Sequence, residues 1–129
     1  MGSPVVHFEI GCRNKSKTAK FYQDLFGWKM FDTPTAAMID TAPNNAPTTP
    51  GQPPKVGING HINSLGHEPH NYVTIYAQVD DLKASLDKAA KLGGKTLVPP
   101  TEVPQMGHFA WLADPEGTIV GLWKPMMKS

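Results

Sequence analysis

Alternation of apolar and polar residues near the N-terminus predicts a β-strand over residues 4–10. One face of this strand carries apolar side chains: Val6, Phe8 and Ile10. Because successive side chains of a strand point to opposite faces, His7 and Glu9 share the other face. The sequence therefore predicts that this histidine and this carboxylate lie side by side, away from the hydrophobic core.

The spacing of apolar residues then changes to that of a helix. Four of them recur at helical spacing, with Ser16 as the expected N-cap and Gly27 as the stop: Phe21, Tyr22, Leu25 and Phe26. Three further strands are predicted: 28–31, 36–41 and 55–62. Between the last two, residues 43–54 contain five prolines and one glycine, which predicts a mobile loop.

The second half of the chain repeats this plan. A strand over residues 72–79 precedes a helix that begins after Asp80-Asp81 and stops at Gly93-Gly94. Strands at 95–98, 109–113 and 118–123 follow, with a break expected at Pro99-Pro100 and a turn at 114–117. The plan repeats at an offset of about 65 residues, and the repeat matches Gly60 to Gly121. We predict a single domain over residues 1–129, with internal modules at about 4–62 and 72–125 joined by a linker at 63–71.

Composition narrows the classes of function. The formal net charge of +1 argues against nucleic acid or an anionic membrane as a partner. The single cysteine, Cys12, excludes an internal disulfide and is compatible with a cytoplasmic protein, the location we expect. Residues 1–10 lack the features of a signal peptide, and no stretch approaches the roughly 20 apolar residues that span a bilayer.

Four segments together resemble the vicinal oxygen chelate superfamily, which includes glyoxalase I, bleomycin-resistance proteins and extradiol dioxygenases. They are residues 21–28 (FYQDLFGW), 79–82 (VDDL), 92–95 (LGGK) and 114–117 (DPEG). The resemblance is to the small glyoxalase-like branch. It implies an α+β fold of two tandem βαβββ modules, whose curled mixed sheets form a cleft for a small molecule. It also implies a homodimer.

Metal-dependent members of that superfamily place ligands on the first and last strands of each module. By resemblance, these positions fall on His7, Gly60, Thr74 and Gly121. A glycine offers no side-chain donor and a neutral threonine is a poor one, so we expect a metal-independent small-molecule-binding protein with no cofactor. A one-residue register slip would bring His61 beside His7 and Glu9, which could form the metal site of a lyase, isomerase or dioxygenase. A third possibility is a structural or regulatory module with a vestigial cleft.

The strongest site candidates are His7 and Glu9, because a carboxylate beside an imidazole can support acid–base catalysis. We predict both as catalytic and as ligand-binding residues. Four more residues are predicted to bind the ligand: Thr74, Tyr76, His108 and Trp111. We predict that His67 and His70 are solvated loop histidines, since Pro69 excludes the helical spacing of a zinc site.

Overall fold

The computed structural model describes residues 2–42 and 57–126. The chain divides into two compact units: His7–Val73 forms the first unit, and Met1–Val6 with Thr74–Ser129 forms the second unit. The proline-rich segment 43–54, predicted to be a mobile loop, lies outside the described residues. No helix within the described part of the chain is long and apolar enough to cross a membrane.

The first unit is built from one helix and a four-stranded mixed sheet. Its elements are β1 (Val5–Gly11, from His7 onward), α1 (Lys15–Phe26), β2 (Lys29–Asp32), β3 (Ala37–Asp40) and β4 (Gly60–Asn63). The strand order is β2-β3-β4-β1, and only the β1–β4 pair is parallel among these described strands. Helix α1 covers one face of the sheet, where the buried core consists of Ile10, Cys12, Ala37, Ile39 and Ile62.

The ends of α1 follow from local chemistry. The helix begins after Asn14, whose side-chain oxygen accepts a hydrogen bond of 2.9 Å from the Lys17 backbone N–H. The prediction of Ser16 as the N-cap was therefore wrong by two positions, because asparagine caps a helix as well as serine does. The helix ends at Gly27, as predicted, with the left-handed φ of 72° that glycine adopts without strain.

The second unit repeats this arrangement. Its elements are β5 (Tyr72–Gln78, from Thr74 onward), α2 (Leu82–Lys91), β6 (Lys95–Val103), β7 (Gly107–Ala113) and β8 (Ile119–Pro125). The strand order is β5-β8-β7-β6, with β5 and β8 parallel and the other pairs antiparallel. Leu82 and Leu86 of α2 pack on Ala110 and Leu122 of the sheet. The predicted α+β fold of two βαβββ modules is thereby confirmed.

The predicted end of the strand that begins at Lys95 was wrong. Strand β6 does not stop at Pro99-Pro100 but continues to Val103. Its pairing with β7 shifts register between Thr96 and Val98 and again between Val98 and Thr101. Because β6 is the last strand in the order of its unit, prolines there cost the sheet little, and the register shifts accommodate them.

Candidate functional site

The two faces of the first unit's sheet differ in chemistry. In the parallel β1–β4 pair, Ile10 lies opposite Ile62, and both contribute to the core under α1. Glu9 lies opposite His61 in the same pair, and alternation directs both away from α1. His7 shares their face because it precedes Glu9 by two residues. The face of the sheet that does not pack on the helix therefore carries a cluster of ionisable side chains.

These side chains contact one another in series, and we call them the His–Glu–Tyr chain, defined as His7, His61, Glu9 and Tyr72. The Nε2 atom of His7 lies 2.7 Å from Nδ1 of His61, and their ring centroids are 4.9 Å apart. Nε2 of His61 lies 3.3 Å from Oε1 of Glu9. The other carboxylate oxygen of Glu9 accepts a hydrogen bond from the hydroxyl of Tyr72. His61 is thus the central member, with one ring nitrogen directed to each neighbour.

The sequence predicted His7 and Glu9 on one face, and the structure places them so. The expectation that His61 could join them only through a register slip was wrong. His61 faces Glu9 in the observed register, while Ile62 remains in the core. The error came from matching Gly60 to Gly121 in the repeat.

Gly60 and Gly121 differ in which face of the sheet they occupy relative to the helix of their own unit. A Cβ on Gly60 would lie 2.7 Å from the ring of Phe8, on the α1 side of its sheet. Gly121 precedes Leu122, which packs against α2, so alternation directs position 121 away from that helix. His61 of the first unit points away from α1, as position 121 of the second unit points away from α2. His61 is therefore the residue of the first unit that corresponds to Gly121.

Glu9 is the most deeply buried member of the His–Glu–Tyr chain, with only 2% of its surface exposed. Burying a carboxylate costs several kcal/mol unless hydrogen bonds compensate for the lost water. Tyr72 donates a hydrogen bond to one oxygen of Glu9, and Nε2 of His61 lies 3.3 Å from the other oxygen. The carboxylate is therefore held in one orientation by two groups from other parts of the chain.

His7 is half-buried and its ionisation is shifted. The pKa of His7 is lowered from 6.5 to about 4, chiefly because burial disfavours the charged imidazolium. The neighbouring His61 lowers this pKa further, while Glu9 acts in the opposite direction. His7 is consequently a neutral imidazole at physiological pH.

Tyr72 was missed as a site residue by the sequence analysis. Its ring lies over Gly11, where an added Cβ would be 1.9 Å from the nearest ring carbon. Glycine at this position thus gives the ring the space to reach Glu9. Alternation could have indicated Tyr72, because it shares a strand face with the predicted candidates Thr74 and Tyr76.

The two ring nitrogens of His61 contact two different neighbours. A bound metal requires three or four donor atoms directed at one point. The two nitrogens of His61 diverge across the ring, one toward His7 and the other toward Glu9. Within residues 2–42 and 57–126, no group of three or more His, Cys, Asp and Glu side chains could hold a metal ion. The predicted alternative set of His7, Glu9 and His61 is thus brought together, with His61 in contact with both of the other residues.

Three other predicted ligand-binding residues lie in the second unit. Trp111 donates a hydrogen bond of 2.7 Å from Nε1 to the hydroxyl of Tyr76. Tyr76 also lies opposite Gly121, where an added Cβ would be 2.4 Å from its ring. Thr74 is buried and donates to the backbone oxygen of Ile119 at 2.7 Å. These contacts hold the three side chains in fixed positions.

The other three histidines have neighbours outside the His–Glu–Tyr chain. His108 is half-buried on β7, opposite Lys124 on β8 and Glu102 on β6. His67 bonds the backbone oxygen of Glu68 at 2.8 Å in an exposed segment. His70 lies 4.0 Å from the same glutamate's carboxylate. The contacts of His67 and His70 are local; His67 is exposed, whereas His70, predicted to be solvated, is half-buried.

Comparison with known proteins gives a consistent assignment. The family model of the Glyoxalase/Bleomycin resistance protein/Dioxygenase superfamily matches residues 5–122. A glyoxylase-like domain-containing protein of Didymella fabae is 33% identical over 111 residues, covering 84% of this chain and 84% of that protein. A putative glyoxylase of Mycobacterium tuberculosis is 31% identical over 126 residues, covering 90% of this chain.

Some relatives are longer than this chain. The chain spans 43% of the length of the Mycobacterium protein and 45% of an anthracycline biosynthesis protein of Streptomyces peucetius, to which it is 26% identical. Among solved structures, a methylmalonyl-CoA epimerase of Streptomyces coelicolor superimposes with a TM-score of 0.66 at 16% identity. That match covers 97% of this chain and 96% of the epimerase. The likeness to the epimerase is one of fold.

Proposed function

Because this chain belongs to the glyoxalase/bleomycin resistance protein/dioxygenase superfamily, we propose that it binds a small organic molecule at His7. We further propose that His7 and Glu9, connected through His61, supply acid–base chemistry to that molecule. The observation that carries this proposal is the His–Glu–Tyr chain, in which a carboxylate only 2% exposed accepts a hydrogen bond from Tyr72 at one oxygen and lies 3.3 Å from Nε2 of His61 at the other.

The stability of the fold does not explain this cluster. Replacing a buried ionic group with apolar side chains of similar size is often neutral or stabilising. The first unit already has an apolar core on its other face. Ionisable groups that are buried and mutually oriented are typical of functional sites. A binding or catalytic role accounts for their presence on this face.

We propose that the contacts of the His–Glu–Tyr chain pass a proton between the bound molecule and Glu9. A proton taken up by His7 from a bound molecule would release the proton on the other His7 nitrogen to His61. His61 would in turn pass its own proton to Glu9. The molecule then carries one proton fewer and Glu9 one more, and the reverse sequence returns it. In this proposal His7 touches the ligand, while His61 and Glu9 act behind it.

We propose that this chemistry proceeds without a resident metal. The proposal rests on the divergent directions of the His61 nitrogens, which leave Glu9 on the far side of the ring from His7. The competing hypothesis is a metal-dependent lyase, isomerase or dioxygenase using His7, Glu9 and His61. That hypothesis requires His61 or Glu9 to reorient so that three donors meet.

The names of the relatives agree with a role in small-molecule chemistry. They are described as glyoxylase-like and as an anthracycline biosynthesis protein. Thr74, Tyr76, His108 and Trp111 remain predicted ligand contacts. A cytoplasmic location also remains a proposal.

A homodimer is a further part of the proposal. Helix α1 has no buried residue, and three large apolar side chains along it are more than half exposed: Phe21, Leu25 and Phe26. Adjacent exposed apolar side chains on a helix commonly mark a protein–protein interface. We propose that this patch, defined by those three residues, contacts a second copy of the chain.

A thermal-shift screen of a metabolite-sized library tests the binding proposal. A ligand at about 100 times its Kd stabilises the folded protein by roughly 2.7 kcal/mol. We expect hits whose shift is lost in His7→Ala and retained in His67→Ala, the matched change at an exposed loop histidine. Hits that bind His7→Ala as well as the parent protein would place the ligand elsewhere. A complete lack of hits would favour the vestigial module.

A further inference from the structure

We infer that the ligand site continues from His61 across Met38 to Phe31, and that these residues bind an elongated, flat aromatic molecule. We call the three residues the Phe–Met–His strip. The inference rests on the proposed function, because it names the class of ligand that lies beside the His–Glu–Tyr chain. It follows from the row of side chains that the pairing of β2, β3 and β4 brings together.

The register of neighbouring strands sets this row. Phe31 of β2 lies opposite Met38 of β3, and Met38 in turn lies opposite His61 of β4. His61 lies opposite Glu9 of β1. Residues directly opposite one another in a sheet point to the same face, so all four side chains lie on the face that does not pack on α1. The Phe–Met–His strip is therefore continuous with the His–Glu–Tyr chain.

The residues next to the strip in β2 and β3 support this assignment of faces. Met30 and Ile39 lie opposite one another, and both contribute to the core under α1. Phe31 follows Met30, and Met38 precedes Ile39. Because successive side chains of a strand alternate between faces, Phe31 and Met38 point away from that core.

The strip presents apolar surface to solvent. Phe31 is 49% exposed, and Met38 is half-buried. Lys29, two residues earlier on the same face, has its Nζ atom 5.2 Å from the centroid of the Phe31 ring. Contiguous exposed apolar surface rimmed by polar residues commonly marks a binding site. The position of this surface beside the His–Glu–Tyr chain favours the same ligand as its occupant.

The dimensions and chemistry of the strip define the ligand class. Two strand spacings separate Phe31 from His61, about 10 Å in all. This span exceeds one aromatic ring and matches a body of two or more fused or linked rings. Aromatic rings pack favourably on other rings and on the thioether of methionine. A flat aromatic body can therefore lie along the strip, with a polar substituent beside the His–Glu–Tyr chain.

Titration with 2-naphthol and with phenol tests the ligand class. The two probes carry the same hydroxyl group, but the body of 2-naphthol is one ring longer. Nuclear magnetic resonance of protein labelled at methionine methyl groups and at histidine follows the binding. We expect 2-naphthol to shift the resonances of Met38 and His61 and to bind about tenfold more tightly than phenol, because its second ring buries further apolar surface.

Phe31→Ala tests the far end of the strip. Because Phe31 is an exposed residue, this variant is expected to fold as the parent does. We expect it to weaken the binding of 2-naphthol about tenfold and to change that of phenol by less than about twofold, since phenol is too short to reach position 31. Met106→Ala is the matched control, because Met106 is an exposed apolar residue of the second unit. Its affinities for both probes should match those of the parent.

The possible results separate this inference from the binding proposal. If 2-naphthol does not bind, or if it binds Phe31→Ala as tightly as the parent, the inference is overturned, while library hits that require His7 still support the proposed function. If Phe31→Ala instead loses the dimer in sedimentation and keeps its affinity for 2-naphthol, the strip is a subunit contact and the inference also fails. If 2-naphthol shifts Met38 but neither it nor any library hit perturbs His7, the strip is a ligand site and the proposed function fails.

Discussion

The ring of Tyr76 covers Gly121 so closely that a Cβ on that glycine would lie 2.4 Å from a ring carbon. The two residues are direct partners in the parallel pairing of β5 with β8. Trp111, the antiparallel partner of Gly121 on β7, donates to the Tyr76 hydroxyl. Position 121, where the resemblance implies a metal ligand, is therefore closed by an aromatic ring.

Gly121→Ala should destabilise the protein, because the added methyl group forces the Tyr76 ring to move. We expect a loss of about 1–3 kcal/mol in the free energy of unfolding, measured by urea denaturation. Gly2→Ala, where no atom lies within 4 Å of the added carbon, serves as the control. Equal stability of the Gly121 and Gly2 variants would show that the space at Gly121 is larger than described.

His7 should make stability depend on pH. Its pKa is lowered from 6.5 in the unfolded chain to about 4 in the folded protein, so the unfolded state binds more protons between these values. The stabilising contribution is complete above pH 6.5 and is lost as the pH falls toward 4. We expect a decrease of about 1–2 kcal/mol over this range after allowing for solvent screening.

This contribution is measured as the difference in unfolding free energy between parent and His7→Ala across the pH range. His67→Ala controls for the loss of an exposed histidine. A parallel pH dependence of parent and His7→Ala would contradict the prediction, since the other titrating groups are common to both.

Gly11 and Tyr72 should be energetically coupled. Gly11→Ala places a carbon 1.9 Å from the Tyr72 ring, which must then withdraw from Glu9. We expect a loss of about 1–3 kcal/mol from overpacking and the lost hydrogen bond. In a Tyr72→Ala background the same change should cost much less, and a double-mutant cycle by urea denaturation measures the difference. Additive effects would indicate that Gly11 acts independently of the tyrosine.

The protein should not retain a metal. Tag-free protein incubated with Zn²⁺ or Ni²⁺ and then desalted is expected to hold substoichiometric metal by elemental analysis, because His61 directs its nitrogens to two different partners. His7→Ala provides the comparison. Stoichiometric metal in the parent that disappears in His7→Ala would instead support the metal-dependent alternative.

The exposed patch on α1 should govern oligomeric state. We expect the parent to sediment as a dimer and Leu25→Glu to sediment as a monomer, because a buried, unpaired carboxylate opposes association. Gln23→Glu adds the same charge to an exposed position on this helix outside the patch and should leave the dimer intact. A monomeric parent, or a dimeric Leu25→Glu variant, would argue against this interface.

Periodicity in the sequence determined most of the secondary structure. The change from a period of two to a helical period located β1 and α1, and the repetition of that pattern predicted the two modules. Alternation within one strand also put His7 and Glu9 on the same face. These features are local, so they depend only on the order of residues within a few turns or strand positions.

The composition of the site was decided by pairing between distant strands. Alternation shows which residues of β4 share a face. It does not show which of the two faces of β4 lies on the same side of the sheet as Glu9, because that depends on the register of β1 with β4. Because the register was unknown, the sequence repeat paired Gly60 with Gly121. In the structure Gly60 lies on the face of its sheet that packs on α1, whereas Gly121 lies on the face of its sheet that points away from α2. Tyr72 reaches Glu9 from 63 residues away through space left by Gly11, a contact that only tertiary folding creates.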